Sequence, residues 1–206
     1  MISALILAAG ASRRMGSPKA LLSIGETTFL RHIVETLAAA GITDVVVVLG
    51  ADIEKIKPTL GWFDGAIVEN ADWEKGQLSS IAAGMEILLR KKVEGVILWP
   101  VDHPLIGPDL IVDMVEAFER SGRKIVLPVF KGRRGHPVLF SSEMFPSLMS
   151  ASLLLGAKEV VRRHPEEIEE VSTSTEGILR NIDTPDDLRS AAPLSHIAEP
   201  ASPPTR

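Results

Sequence analysis

The sequence predicts a three-layer α/β/α domain built on parallel strands. Continuous apolar runs of strand length at residues 4–7, 45–49 and 96–99 read as strands buried on both faces. Between them lie segments whose apolar residues recur at helical spacing. That strand–helix–strand alternation argues for a parallel sheet with helices on both sides. In such sheets ligands sit beyond the carboxyl ends of the strands. The loops that follow the apolar runs are where function is sought.

The first run leads into Leu7-Ala8-Ala9-Gly10-Ala11-Ser12-Arg13-Arg14-Met15-Gly16-Ser17-Pro18-Lys19. Small residues leave the backbone of this turn open, and its N–H groups can point at an anion. Arg13, Arg14 and Lys19 bring cationic side chains to the same place, as a polyphosphate site requires. Neither common phosphate loop is present. Walker A needs Gly-Lys-Ser/Thr where Gly16-Ser17-Pro18 stands, and the dinucleotide fingerprint needs a glycine at Ser12. Pro18 holds Ser17 extended. The loop is therefore expected to be long and to fold over its ligand, with Lys19 at the far end.

Along the chain, Thr27 or Thr28 caps a helix with Leu30, Ile33, Val34, Leu37 and Ala38 on one face, ended by Gly41. Gly50 follows the second strand. A short helix over residues 52–57 is expected to stop at Pro58, and residues 66–69 form a strand. The loop from Asn70 to Ser80 contains Trp73, Gly76 and Ser79. Ser79 or Ser80 is expected to cap a helix that buries Ile81, Met85, Leu88 and Leu89. The strand at 96–99 runs into Pro100-Val101-Asp102-His103-Pro104. Two prolines there fix the backbone around a carboxylate and an imidazole. From the residues alone, Asp102 suits either a metal or a turn.

Pro108 opens a helix whose stripe is Ile111, Met114, Val115 and Phe118, ended by Gly122. Residues 125–129 and 138–140 read as strands flanking a basic tip, Lys131-Gly132-Arg133-Arg134-Gly135-His136-Pro137. That tip suits an acceptor's phosphate or a solvated hairpin. Pro146 is expected to interrupt any helix in residues 142–155, and Leu153, Leu154 and Leu155 are expected in the core. A helix over 157–164, strands over 168–171 and 178–182, and a helix capped by Thr184 with Pro185 in its first turn complete the domain. Asp183 lies just before that cap.

The 206 residues, 45% of them hydrophobic, suffice for one α/β core, placed at residues 1–190. A net charge of −5 argues against nucleic acid as a partner and means that positive charge must be gathered locally. The absence of cysteine excludes disulfides and thiolate chemistry and fits a cytoplasmic setting. No apolar run approaches the roughly 20 residues of a membrane span, and no leader peptide is read. Residues 191–206 are rich in proline and alanine and are expected to be a disordered tail.

Leu-Ala-Ala-Gly-x-Ser-x-Arg-Met-Gly-x-Pro-Lys, filled at every fixed position from Leu7 to Lys19, resembles the signature of the MobA/MocA-like nucleotidyltransferases. Three further segments carry the resemblance. Asn70, Trp73, Gly76, Ser79 and Ser80 match the segment that contacts the base. Asp102 matches the Asp of an Asp-x-Pro element, and Asp183 the Asp of the closing Asn-Ile-Asp-Thr-Pro motif. Gly135-His136-Pro137 resembles an element on the acceptor side of the cleft. Before Gly156-Ala157-Lys158, Leu154-Leu155 replaces a Gly-Asp pair common in the family.

The resemblance implies a Rossmann-like nucleotidyltransferase fold with a mostly parallel mixed sheet. It implies transfer of an NMP from an NTP to an acceptor phosphate with release of pyrophosphate. It is nearest to the molybdenum cofactor cytidylyltransferases, because the guanine branch carries Gly-Pro-Leu-Ala-Gly where this chain has Gly76-Gln77-Leu78-Ser79-Ser80. CTP is thus the favoured nucleotide and molybdopterin the implied acceptor. A molybdoenzyme or its maturation factor is the implied protein partner. By this likeness Lys19 and Arg14 are catalytic, and Leu7, Ala8, Ala9, Gly10, Ser12, Arg13, Asn70, Gly76, Ser79 and Ser80 hold the nucleotide. Asp102 and Asp183 hold Mg²⁺, with Mn²⁺ as an alternative. His103, Gly135 and His136 face the acceptor. Two other readings stay open: a sugar- or polyol-phosphate nucleotidyltransferase, and a nucleotide-binding module without turnover.

Overall fold

The computed structural model describes residues 1–151 and 156–191. The expected core placement of Leu153, Leu154 and Leu155, and the expected tail beyond Ala191, lie outside them. In chain order the elements are β1 (Ile2–Ala8), a small hairpin of β2 (Ser23–Ile24) and β3 (Thr27–Thr28), α1 (Phe29–Ala39), β4 (Val45–Leu49), α2 (Ile53–Ile56), β5 (Ala66–Glu69), α3 (Gln77–Lys91) and β6 (Gly95–Pro100). Then come α4 (Pro108–Ser121), β7 (Ile125–Phe130), β8 (Arg133–Arg134), β9 (Val138–Ser141), α5 (Phe145–Ser150), α6 (Ala157–Arg163), β10 (Ile168–Ser172) and α7 (Pro185–Ala191).

The main sheet runs β10-β7-β9-β6-β1-β4-β5, with β8 paired to β7. β1 lies parallel to both β4 and β6, and β5 and β10 are also parallel to their neighbours. Among the described strands of this sheet, β8 and β9 run antiparallel to their neighbours. The mostly parallel mixed sheet is therefore as expected. The strand order reverses at β1, since β4 lies on one side of it and β6 on the other. The loops after β1 and β6 consequently leave the same sheet edge side by side, which is where α/β sheets bind ligands.

Continuous apolar runs work here because both faces are covered. Ala4, Ile6, Val45, Val47, Ile97 and Trp99 pack on α1 and α4, whereas Leu5, Leu7, Val46, Val48, Val96 and Leu98 pack on α3 and α5. The Thr28 hydroxyl accepts the Arg31 N–H and caps α1 as expected. Gly107 and Pro108 open α4, and Gly122, at φ +65°, closes it.

Several expectations fail on local grounds. α2 does end before Pro58, at Ile56, but a 3-10 segment over Lys57–Thr59 follows it directly, and Pro58 sits in the first turn of that segment, where its missing N–H has no partner to lose. Pro146 likewise opens α5 instead of interrupting it. α3 starts at Gln77, so Ser79 and Ser80 lie inside its first turn and Gly76 caps it. Leu89, at the edge of the stripe set by Ile81, Met85 and Leu88, is 53% exposed, while Leu78 and Gly84 join the buried face. Residues 178–182 are no strand. A 3-10 turn over Glu176–Leu179 precedes an extended connector, and Ile178 and Ile182 are buried without sheet pairing. Ala191, the first residue of the expected tail, is the buried last residue of α7.

Candidate functional site

A cleft of about 450 Å³ opens at the carboxyl edge of β1. Leu7, Ala8, Ala9, Gly10 and Ser12 line it, together with Arg13, Arg14 and Lys19. Trp73, Gly76, Gln77 and Ser80 also line it, as do Asp102 and Asp183. The loop after β1 doubles back as expected. Ser12 takes a left-handed φ of +47°, its carbonyl accepts the Met15 N–H, and its hydroxyl accepts the Lys19 N–H at 3.0 Å. One serine thus clamps both ends of the small-residue turn and aims Lys19 inward.

Lys19 reaches the two carboxylates, which lie 83 and 164 residues further along the chain. Its ammonium is 3.0 Å from Asp102 Oδ2 and is bonded to Asp183 Oδ1. Arg14 Nη2 donates to Asp183 Oδ2 at 3.0 Å, and Asn181 Nδ2 donates to the same oxygen at 2.8 Å. The Lys19 side chain is 14% exposed and the two Asp side chains about a quarter, so these pairs are partly shielded from water. The hydrogen bond from Lys19 holds the Asp183 carboxyl below the ordinary aspartate range, against a smaller opposing effect of burial.

Two backbone contacts bring the carboxylates together. The Ile182 N–H donates to the Asp102 carbonyl at 2.8 Å, and the Val101 N–H to the Leu7 carbonyl at 3.0 Å. On the far side, Asp187 Oδ2 accepts the N–H groups of Asp183 and Thr184, while the Asp187 N–H donates to Thr184 Oγ1. This reciprocal cap starts α7 and fixes the direction in which Asp183 enters the cleft. The hydrogen bond from Thr184 leads in drawing the Asp187 carboxyl below its ordinary range.

The expected base-contact residues divide into two groups. Gly76 and Ser80 line the cleft, whereas Asn70 and Ser79 hold the loop together. Asn70 Nδ2 donates to Ser79 Oγ at 2.9 Å and Ser80 Oγ at 3.0 Å, and its Oδ1 accepts the Asp72 N–H at 2.9 Å. All the hydrogen-bonding groups of this buried amide are thereby engaged. Gln77 and Trp73 stand in the cleft beside Ser80. Trp73 is a matched position of the resemblance, but Gln77 falls on a variable one. Asn181 was also missed, although it opens the closing motif two residues before Asp183.

His103 and His136 are brought together, with ring centroids 4.6 Å apart at an interplanar angle of 47°. They sit behind Asp102, with His103 Nε2 at 3.8 Å from Asp102 Oδ1, and neither is part of the cleft lining. Burial lowers the pKa of both, that of His136 to about 4, so both rings are neutral at pH 7. Their Nδ1 atoms are buried without a hydrogen-bond partner. Gly135 packs against the Ile178 carbonyl, 2.4 Å from where its Cβ would stand. Arg133 and Arg134 form the exposed tip, and Arg134 pairs with Glu170 at 2.7 Å.

Among the described residues, no group of three or more His, Asp and Glu side chains could hold a metal unaided. Asp102 and Asp183 nevertheless converge on one cation, the Lys19 ammonium. Mg²⁺ is commonly held by one or two carboxylates, with phosphate oxygens and water completing its shell. The donor set fits such an ion.

Residues 4–168 match the MobA-like NTP transferase domain. The chain belongs to this family. As a MobA-like nucleotidyltransferase it has relatives with divergent names. It is 29% identical over 192 residues to nicotine blue oxidoreductase of Paenarthrobacter nicotinovorans, covering 89% of this chain and 92% of that one. It is 30% identical over 132 residues to a Bacillus mycoides protein named "Probable molybdenum cofactor guanylyltransferase", covering 63% of this chain and 62% of the relative. Among solved structures, Rv0371c from Mycobacterium tuberculosis superposes with a TM-score of 0.78 at 24% identity, over 94% of this chain and 98% of that one. Another structure of that protein is a complex with manganese, at a TM-score of 0.69 and 23% identity over 93% and 98% of the two chains. Both agree with the MobA-like fold described above. Among the described residues no helix is long and apolar enough to cross a membrane.

Proposed function

We propose that this MobA-like domain transfers CMP from CTP onto the phosphate of a small-molecule acceptor, molybdopterin or its molybdenum-bearing form, and releases pyrophosphate. The observation that carries the reading is Lys19 lodged between Asp102 and Asp183, facing the small-residue loop across one cleft. The triphosphate lies along that loop, where Gly10 leaves room and Arg14, Lys19 and backbone N–H groups meet the β- and γ-phosphates. Asp102 and Asp183 would hold Mg²⁺, which when bound neutralises phosphate charge between donor and acceptor.

An acceptor phosphate oxygen attacks the α-phosphorus in line. The new P–O bond forms as the bond to pyrophosphate breaks, and the electron pair leaves with the pyrophosphate. A phosphate monoester is largely ionised at neutral pH, so no strong base is required. Positioning and charge stabilisation supply the rate. Lys19, on a flexible stem, follows the charge that develops on the leaving pyrophosphate. His103 lies 3.8 Å from Asp102 with His136 packed against it, outside the cleft lining, and on this reading the pair acts on the acceptor side through Asp102.

Gly76, Gln77 and Ser80, which line the cleft, speak against guanine. Here Gln77 stands where the guanine branch of the resemblance has proline. The guanylyltransferase names among the relatives favour GTP instead, and a sugar- or polyol-phosphate acceptor is the other reading of the same chemistry. The oxidoreductase reading is favoured by the relative at 92% coverage. Pyrophosphate release should be assayed with CTP, GTP, ATP and UTP, with Mg²⁺ and a pterin phosphate or a sugar phosphate. A parallel arm should follow dye reduction by NADH or NADPH. CTP with the pterin acceptor is expected to turn over fastest. Dye reduction without pyrophosphate release from any NTP would overturn the proposal.

A further inference from the structure

The cations and carboxylates of this site neutralise one another before any substrate arrives. Lys19 spans Asp102 and Asp183, while Arg14 and Asn181 take the second oxygen of Asp183. Asp102 Oδ1 faces His103 at 3.8 Å. Both Asp183 oxygens and one of Asp102 are therefore engaged by groups of the chain itself. A divalent cation seated on the same oxygens would displace the Lys19 ammonium, because two cations cannot share them at ligand distance. Displaced alone, that ammonium would be left without a counter-ion in a cleft where its side chain is only 14% exposed. Displaced in the presence of a triphosphate, it would move to phosphate oxygens.

We infer that Lys19 and the divalent cation exchange on Asp102 and Asp183, so that metal and triphosphate bind cooperatively through release of this one lysine. The inference rests on the reading of the site as a metal–triphosphate centre and adds a coupling that the reading does not require. Arg14 takes a smaller part, since its side chain is 69% exposed and water replaces its contact readily. By linkage, whatever factor the triphosphate contributes to metal affinity through Lys19, the metal contributes to triphosphate affinity. Coupling between sites is typically about 5- to 150-fold.

The test is Mn²⁺ binding to the full chain without nucleotide, followed by electron paramagnetic resonance of the free ion. Lys19→Met and Lys19→Gln remove the internal counter-ion. Arg13→Met removes a charge from the same loop, at an exposed residue outside the carboxylate cluster. Asp102→Asn and Asp183→Asn remove the ligands, and urea unfolding confirms that each variant folds. Either Lys19 variant is expected to bind Mn²⁺ at least about fivefold more tightly than wild type. Arg13→Met is expected to change affinity less than twofold, and the Asn variants to lose the site. Wild-type or weaker affinity in both Lys19 variants, or equal tightening in Arg13→Met, would overturn the exchange and leave the functional reading intact. If neither wild type nor a Lys19 variant binds Mn²⁺ in a way that the Asn variants abolish, the metal-centre reading itself fails.

Discussion

Gly177 is the position where a single methyl group should separate the two carboxylates. A Cβ built there would lie 2.0 Å from the Leu105 carbonyl oxygen and 2.9 Å from the Leu105 carbonyl carbon and Cβ. Ordinary contact begins near 3.4 Å, so about 1.4 Å of separation has to be found against backbone atoms. Leu105 lies three residues after Asp102, and Gly177 is the second residue of the 3-10 turn that leads into the connector to Asp183. The Ile182 N–H to Asp102 carbonyl bond joins the two segments and would stretch or break. Overpacking of this kind costs about 1–3 kcal/mol, and a misplacement near 1 Å can cost about 10²-fold in rate. Gly177→Ala is therefore expected to unfold at lower urea and to lose about two orders of magnitude in kcat/KM for pyrophosphate release. Gly61→Ala, with no atom within 4 Å of its new Cβ, is the control. A Gly177→Ala enzyme with wild-type stability and rate would refute the view that this contact sets the carboxylate geometry.

Gly10→Ala meets nothing within 4 Å in the free protein but adds a methyl group at a residue that lines the cleft. It should leave the urea midpoint unchanged while weakening nucleotide binding in calorimetry, and unchanged affinity would place the triphosphate elsewhere. Asn70→Ala strips three hydrogen bonds from a buried loop, should cost about 1–3 kcal/mol in urea unfolding, and should weaken nucleotide binding through Gly76 and Ser80. His136 titrates near 4 when folded and near 6.5 when unfolded, so between those values the unfolded chain binds more protons and stability falls as pH is lowered. The expected loss between pH 7 and 5 is about 2 kcal/mol. His136→Asn should flatten that slope, and an equal slope in the variant would assign the loss to other groups.

What could be read from the sequence follows from how far apart the interacting parts lie. Residues 4–7, 45–49 and 96–99 were legible as strands because a central parallel strand is apolar on both faces whatever its neighbours. The capping residue Thr28 and the helix start at Pro108 are local, and they hold. Residues 178–182 deceived because burial, not pairing, explains their apolar character; Ile178 and Ile182 belong to the core cluster on the α1 and α4 side of the sheet. Leu89 was misplaced because it flanks the stripe of Ile81, Met85 and Leu88, where apolar character alone does not decide burial, and the start of α3 was placed late because Gly76 offers no side chain to mark that boundary. Lys19, Asp102 and Asp183 were each legible from their own segments. The pairing of the two carboxylates came only from the family resemblance, and the lodging of Lys19 between them was not expected, since both depend on the order of strands at β1 and on the Ile182–Asp102 backbone bond.

The same convergence explains how an acidic chain handles a polyanion. With a net charge of −5, the surface as a whole offers a triphosphate no attraction. Arg14 and Lys19 supply local positive charge, but in the free chain Asp102 and Asp183 cancel it. A nucleotide without a metal therefore meets a cluster that is already balanced, and a metal without a nucleotide must evict a lysine. On the proposed reading, only the metal–nucleotide pair satisfies every charge at once, with the cation on the carboxylates and the lysine on the phosphates. Nucleotide affinity measured in EDTA should accordingly rise in Asp102→Asn, because Lys19 is partly freed, even as turnover is lost. A fall in that affinity would mean that the carboxylate orients Lys19 toward the phosphate instead of withholding it.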